Sequence, residues 1–364
     1  MSCDFPHLNA ETKAIVNEDL CTRELWNNRP HFVFFDKIPK LLQKLNWIFQ
    51  QTAMMQSLDP QDLYDIESLT IVGRTGAGKS TLCRYFQGLH SRHQVEEREI
   101  IPVVHVKLKS QIAGLTGFYT ALLEPYGSPY SNPEYTENIK PLRIAQFHEL
   151  LKAYIRTAET KIIFIDEFQH IFETKQKRHV YNQTIVNHLK LLMEEARVAI
   201  IPVGVLSVEA FLASDSQLAG RCPIKEYSRL DYLDFPNLDE GIDAKKEMIN
   251  LKRECPMMPP AELRTRVEGI VQEKQRENQE ARARFRNLLK GFEAYLPFPE
   301  PSRLSSPEIS ELIFQRVKFS KIEEGELGRT NIRKIAWFLR IVGDLALKNG
   351  HTQVHIEDIR NTEI

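Results

Sequence analysis

The chain has 364 residues, a formal net charge of −1 and five cysteines with no C-x-x-C pair. An apolar fraction of 42% is enough to build a buried core, and no run reaches the roughly 18 apolar residues of a membrane span. A membrane protein and a general polyanion binder are thereby disfavoured, so contact with nucleic acid must come from a local basic surface. The absence of a basic, apolar N-terminal leader and the scattered cysteines predict a cytoplasmic protein with reduced thiols.

Residues 1–30 are polar and read as an N-terminal arm. Leu41, Leu42, Leu45, Ile48 and Phe49 then share one helical face. The apolar run Leu69–Val72 predicts a strand entering Gly73-Arg74-Thr75-Gly76-Ala77-Gly78-Lys79-Ser80, which matches G-x-x-x-x-G-K-[ST]. After it, from Thr81, the residues Leu82, Tyr85, Phe86 and Leu89 keep helical spacing, so the motif lies between a strand and a helix. In that setting backbone N–H groups and the helix N-terminus cradle phosphate oxygens. Lys79 would reach the β- and γ-phosphates of ATP, and the Ser80 hydroxyl would hold Mg²⁺.

Ile101–Val106 predicts a second buried strand ending in Lys107-Leu108-Lys109-Ser110, followed by a short turn-plus-helix insertion through Thr116 and Tyr119. Residues 125–141 read as a surface loop, and a helix carries Phe147, Leu151 and Ile155. Lys161–Ile165 is a strand buried on both faces that ends in Asp166-Glu167. With the phosphate loop upstream, Asp166 is expected to hold Mg²⁺, and Glu167 to orient and polarise the attacking water. The cluster Lys175, Lys177, Arg178 is either a solvated loop or a contact to phosphate backbone.

Val198–Gly204 is a further buried strand, after which Ser207 is the polar candidate for sensing a γ-phosphate. A fifth strand is expected near Tyr227–Leu233. These alternating units predict a doubly wound α/β fold with a parallel five-stranded sheet. Residues 236–282 read as a charged helical insertion, with a helix from Glu262 to Arg284. Residues 283–364 read as a helical lid, with helices marked by Phe285–Phe292, Ile309–Ile313, Ile332–Ala346 and His355–Ile359. The domains expected are thus 1–30, 31–235, 236–282 and 283–364.

The phosphate loop, the acidic strand end, an arginine ahead of the last strand and a C-terminal helical lid together resemble the AAA+ ATPases. Within them, Ile165-Asp166-Glu167-Phe168-Gln169-His170-Ile171, Ile201-Pro202-Val203-Gly204-Val205 and Gln217-Leu218-Ala219-Gly220-Arg221 are similar to the transposon-encoded TnsC/TniB regulators. So are Leu296–Leu304 and Gly325–Arg333 in the lid. The resemblance implies an ATPase that assembles as rings or filaments on double-stranded DNA and links a TniQ/TnsD-type target-selection protein to a transposase. It also implies disassembly on hydrolysis and association with the nucleoid.

Carried over, Arg221 falls where the arginine finger lies, and Arg333 (or Arg329) falls in the sensor-two region. DNA contacts would come from Lys107, Lys109 and the segment through Thr116. The segment 236–282 departs from the family pattern. An AAA+ replication initiator or DNA loader, and a scaffold that binds ATP but turns over slowly, are the alternatives.

Overall fold

The computed structural model describes residues 7–27, 37–58, 66–110, 114–131, 142–172, 179–230, 233–234, 244–317, 329–330 and 332–362. The chain divides into two compact units, Lys37–Asp231 and Met1–Asp36 with Tyr232–Ile364.

The first unit has the expected α/β fold, a parallel five-stranded sheet flanked by helices. Its strands are β1 (Ile71–Gly73), an exposed hairpin of β2 (His93–Val95) and β3 (Arg98–Ile100), β4 (Val103–Lys107), β5 (Ile162–Asp166), β6 (Ala199–Gly204) and β7 (Arg229–Leu230). Five of them form one parallel sheet in the order β4-β5-β6-β1-β7. β5 and β6 are buried along their whole length, which explains their unbroken apolar runs: both faces are covered by helices. The core joins Ile163, Ile165 and Ile200 of the sheet to Leu151, Ile155, Leu189 and Leu192 of helices Ile144–Thr157 and His179–Ala196.

Register sets the function of this sheet. Lys107 is aligned with Asp166, Asp166 with Val203, Val72 with Gly204, and Gly73 with Leu230. The carboxyl ends of the strands therefore finish together, on the edge where open α/β sheets bind ligands.

The helix expected after β4 is Gly114–Leu123, and it packs Phe118, Tyr119, Leu122 and Leu123 into the core. One expectation in this unit is corrected. The strand expected over Tyr227–Leu233 is two short pieces. Arg229–Leu230 completes the sheet, whereas β8 (Leu233–Asp234) pairs antiparallel with β9 (Arg329–Thr330) in the second unit.

The second unit is helical. Phe285, Leu288, Leu289 and Phe292 pack with Phe298, Ile313, Phe314, Ile335, Phe338 and Val342. The described part of the expected 1–30 arm belongs here: Arg23 donates to Pro297 O at 2.9 and 2.7 Å, Trp26 Nε1 to Tyr295 O at 3.1 Å, and Asn27 Nδ2 to Arg340 O at 2.8 Å. The charged helix expected to stop near Arg284 instead runs unbroken as Pro260–Glu293. Its outer part forms a hairpin with Ala244–Glu254 through Leu251, Leu263 and Val267, with Lys274 and Glu247 paired at 2.5 Å.

Among the described residues, no helix is long and apolar enough to cross a membrane.

Candidate nucleotide site

The loop between β1 and helix Lys79–Leu89 reverses sharply at Gly78, where φ is 87°. An L side chain would be strained in that left-handed conformation, so glycine is what allows the chain to enter the helix. Lys79 is buried, and its ammonium donates to Gly73 O at 2.7 Å and Arg74 O at 2.9 Å. The lysine thus folds back over its own loop, with its charge held at the helix N-terminus. Ala77 is buried, Thr75 is exposed, and Arg74, Gly76, Ser80 and Thr81 are half-buried.

At the end of β5, Asp166 is 1% exposed. His105 Nε2 lies 3.2 Å from its Oδ2 and, facing a carboxylate, must be the protonated nitrogen. The Glu167 N–H donates to Oδ1 at 2.9 Å, and the Ser80 hydroxyl is near enough to help hold the carboxylate in its charged form. Burial pushes the Asp166 pKa up, but His105, Ser80 and the Glu167 N–H more than offset this and hold it below the ordinary carboxylate range. Asp166 is therefore an anion beside the phosphate loop. A hydroxyl and a carboxylate side by side are hard oxygen donors, the chemistry that suits Mg²⁺.

Glu167 has φ 57°, a left-handed conformation rare for a side chain of its size. Its Oε2 accepts from Gln169 Nε2 at 2.5 Å, and Lys107 Nζ lies 3.9 Å from its Oε1. So Lys79, Ser80, Asp166, Glu167 and Lys107, which are far apart in sequence, meet on one edge of the sheet. His105 and Gln169 also belong to this group and were not singled out from the sequence. His105 was hidden inside an apolar run, although its place two residues before Lys107 puts both on the same face of β4.

The remaining candidates lie elsewhere. Ser207 opens the short helix Ser207–Ala213 and is exposed. Arg221 ends helix Ser216–Arg221, where it pairs with Glu194 and donates to Lys190 O at 3.2 Å. It lines a groove of about 740 Å³ with Glu67, Leu191 and Gln217. Lys109 and Thr116 are exposed. Lys175, Lys177 and Arg178 lie outside the described residues, as do the side chains of Arg329 and Arg333.

The family model for bacterial TniB protein matches residues 23–230. No curated protein matches the chain. Among solved structures, the chain is similar to the Aeropyrum pernix ORC2 protein in its ADPNP-ADP complexes, with 12% identity, a TM-score of 0.49, and 92% of this chain and 69% of that one covered. It is also similar to Drosophila ORC bound to DNA, with 11% identity, a TM-score of 0.40 and coverages of 94% and 64%. C. elegans PCH-2 matches at 12% identity and a TM-score of 0.34, with coverages of 63% and 51%.

Proposed function

Because the chain belongs to the bacterial TniB protein family, we propose that it is an ATP-dependent regulator of transposition that assembles on double-stranded DNA. The observation that carries this reading is the meeting of the two motifs at one sheet edge: Asp166 of β5 and Ile71 of β1, the strand that leads into the phosphate loop, are both in register with Val203 of β6, and Glu167 directly follows Asp166.

In this reading the backbone of Gly73–Thr81 wraps the phosphates of ATP. Lys79 exchanges its two carbonyl partners for β- and γ-phosphate oxygens, which keeps the buried ammonium paired throughout. Ser80 and Asp166 would hold Mg²⁺, which would neutralise phosphate charge. Glu167 accepts a hydrogen bond from the attacking water and aligns it with the γ-phosphorus. Arg221 leaves Glu194 and reaches the γ-phosphate held by a neighbouring copy, so hydrolysis depends on assembly. Arg333 (or Arg329) is the sensor-two candidate by the family resemblance alone.

Lys107, Lys109 and Thr116 contact DNA phosphates, with 175–178 the second candidate surface. A repeating assembly needs few charges per copy, which reconciles DNA binding with a net charge of −1. A TniQ/TnsD-type protein and a transposase are the expected partners, and hydrolysis releases the assembly.

Electron microscopy with a non-hydrolysable ATP analogue, with and without duplex DNA, tests the reading: DNA-dependent rings or filaments are expected, and monodisperse protein under both conditions would refute it. Glu167→Gln should keep ATP and DNA binding, abolish turnover and trap the assembled state. Arg221→Ala and Lys79→Ala should each be inactive alone. Mixed together they should recover part of the activity, because each supplies what the other lacks.

A further inference from the structure

We propose that Gln169 is the positioning residue for the hydrolytic carboxylate. The proposal rests on the reading of Glu167 as the group that aligns water. Gln169 sits in the single 3₁₀ turn Phe168–Ile171 and is 5% exposed. Both ends of its amide are used: Nε2 donates to Glu167 Oε2 at 2.5 Å, and Oε1 accepts from the Val205 N–H at 3.4 Å. No other orientation of the amide works, since a carboxylate cannot donate and a backbone N–H cannot accept.

Val205 directly follows β6, whose last residue Gly204 is in register with Val72 of β1. Gln169 therefore ties the Glu167 carboxylate to the sheet end that adjoins the phosphate-loop strand. Space for this tie is provided at Gly204, where a Cβ would lie 2.7 Å from Gln169 Oε1 and 2.6 Å from Val208 Cγ2.

The second partner of the carboxylate is weaker. Lys107 Nζ is 3.9 Å away on a side chain that is 67% exposed, so it does little to fix the group's position. The chemistry of the residue also matters. A cation at 169 would pair with the Glu167 carboxylate and compete with water for it, and a second carboxylate would push it away. A neutral amide fixes one oxygen and leaves the charge, with the other oxygen, for water.

The test uses the intact protein with duplex DNA and compares Gln169→Met and Gln169→Asn with the parent. Methionine matches the volume without the hydrogen bonds, and asparagine keeps the amide but is too short to span both partners. Both should lower kcat by about 10- to 100-fold, as expected for a misplaced reacting group. Their KM and their affinity for a fluorescent ATP analogue should stay within about threefold, and nucleotide-bound assemblies should persist longer. A methionine or asparagine variant that folds by its melting curve and retains parental kcat overturns the proposal. Glu167→Gln, run in parallel, separates the failures. If it hydrolyses ATP normally, the reading of the site is wrong; if it is inactive while Gln169→Met is normal, the positioning role alone is wrong.

Discussion

Replacing Gly73 with alanine should separate β1, the strand that leads into the phosphate loop, from its neighbour β7. Gly73 ends β1 and is in register with Leu230 of β7. A Cβ there would lie 1.9 Å from Leu230 O and 2.8 Å from its carbonyl carbon. Non-bonded heavy atoms settle at about 3.5 Å or more, so β7 would have to retreat by over about 1 Å. The obstructing atoms are backbone, and no rotamer change can relieve the clash. The retreat would open the pairing at Val72–Arg229 and Gly73–Leu230, which is the whole attachment of β7 to the sheet.

Overpacking of this kind costs about 1–3 kcal/mol, and an unyielding neighbour places it near the top of that range. For a unit of this size each kcal/mol lowers Tm by about 2–4 °C, so Gly73→Ala should melt roughly 6–12 °C below the parent. Differential scanning calorimetry without nucleotide measures the shift, and titration with a fluorescent ATP analogue measures the accompanying loss of affinity. A variant that melts within about 2 °C of the parent and binds the analogue equally well would refute the packing described at this strand end.

Three further outcomes are expected. Asp166 is held below the ordinary carboxylate range, so its charged form adds stability that is complete above about pH 3.9 and fades as pH falls through its lower folded value. The stability gap between parent and Asp166→Asn, followed by urea unfolding, should therefore narrow below about pH 4, and a gap independent of pH would contradict the hydrogen bonding assigned to it. Tyr119 is buried, and its hydroxyl lies 2.9 Å from His148 Nδ1 and 2.8 Å from His188 Nδ1. Tyr119→Phe should cost about 1–3 kcal/mol in urea by leaving imidazole nitrogens without a partner. Phe164 is fully buried in β5, and Phe164→Ala should cost about 3–5 kcal/mol with an unchanged denaturant slope.

The parts of the site that could be read from the sequence are those whose chemistry is local. Gly73–Ser80 forms its turn from its own glycines, and Ile162–Asp166 declares a twice-buried strand by its apolar run. Gln169 and His105 could not be read in this way. The role of Gln169 depends on a Val205 N–H 36 positions away, and that of His105 on a carboxylate 61 positions away. Helix Gly114–Leu123 is legible as a helix from its own residues, while its burial depends on helices much further along the chain. The Tyr227–Leu233 run has the composition of one strand, and partners from different units divide it. The break expected near Arg284 followed from a change in composition that the backbone does not share.

The Pro260–Glu293 helix spans about 50 Å at 1.5 Å per residue. Its outer end supplies Leu263 and Val267 to the hairpin, and its inner end supplies Phe285, Leu288, Leu289 and Phe292 to the helical core. One rod thus keys two hydrophobic faces by helical phase. Each residue inserted between them turns the hairpin by about 100° about the rod. Four inserted residues would swing it round by roughly 40°, whereas eighteen would carry it about 27 Å outward with its heading unchanged. Relatives whose hairpins point the same way should accordingly differ in this segment by whole numbers of turns, so that length here is quantised while sequence remains free to drift.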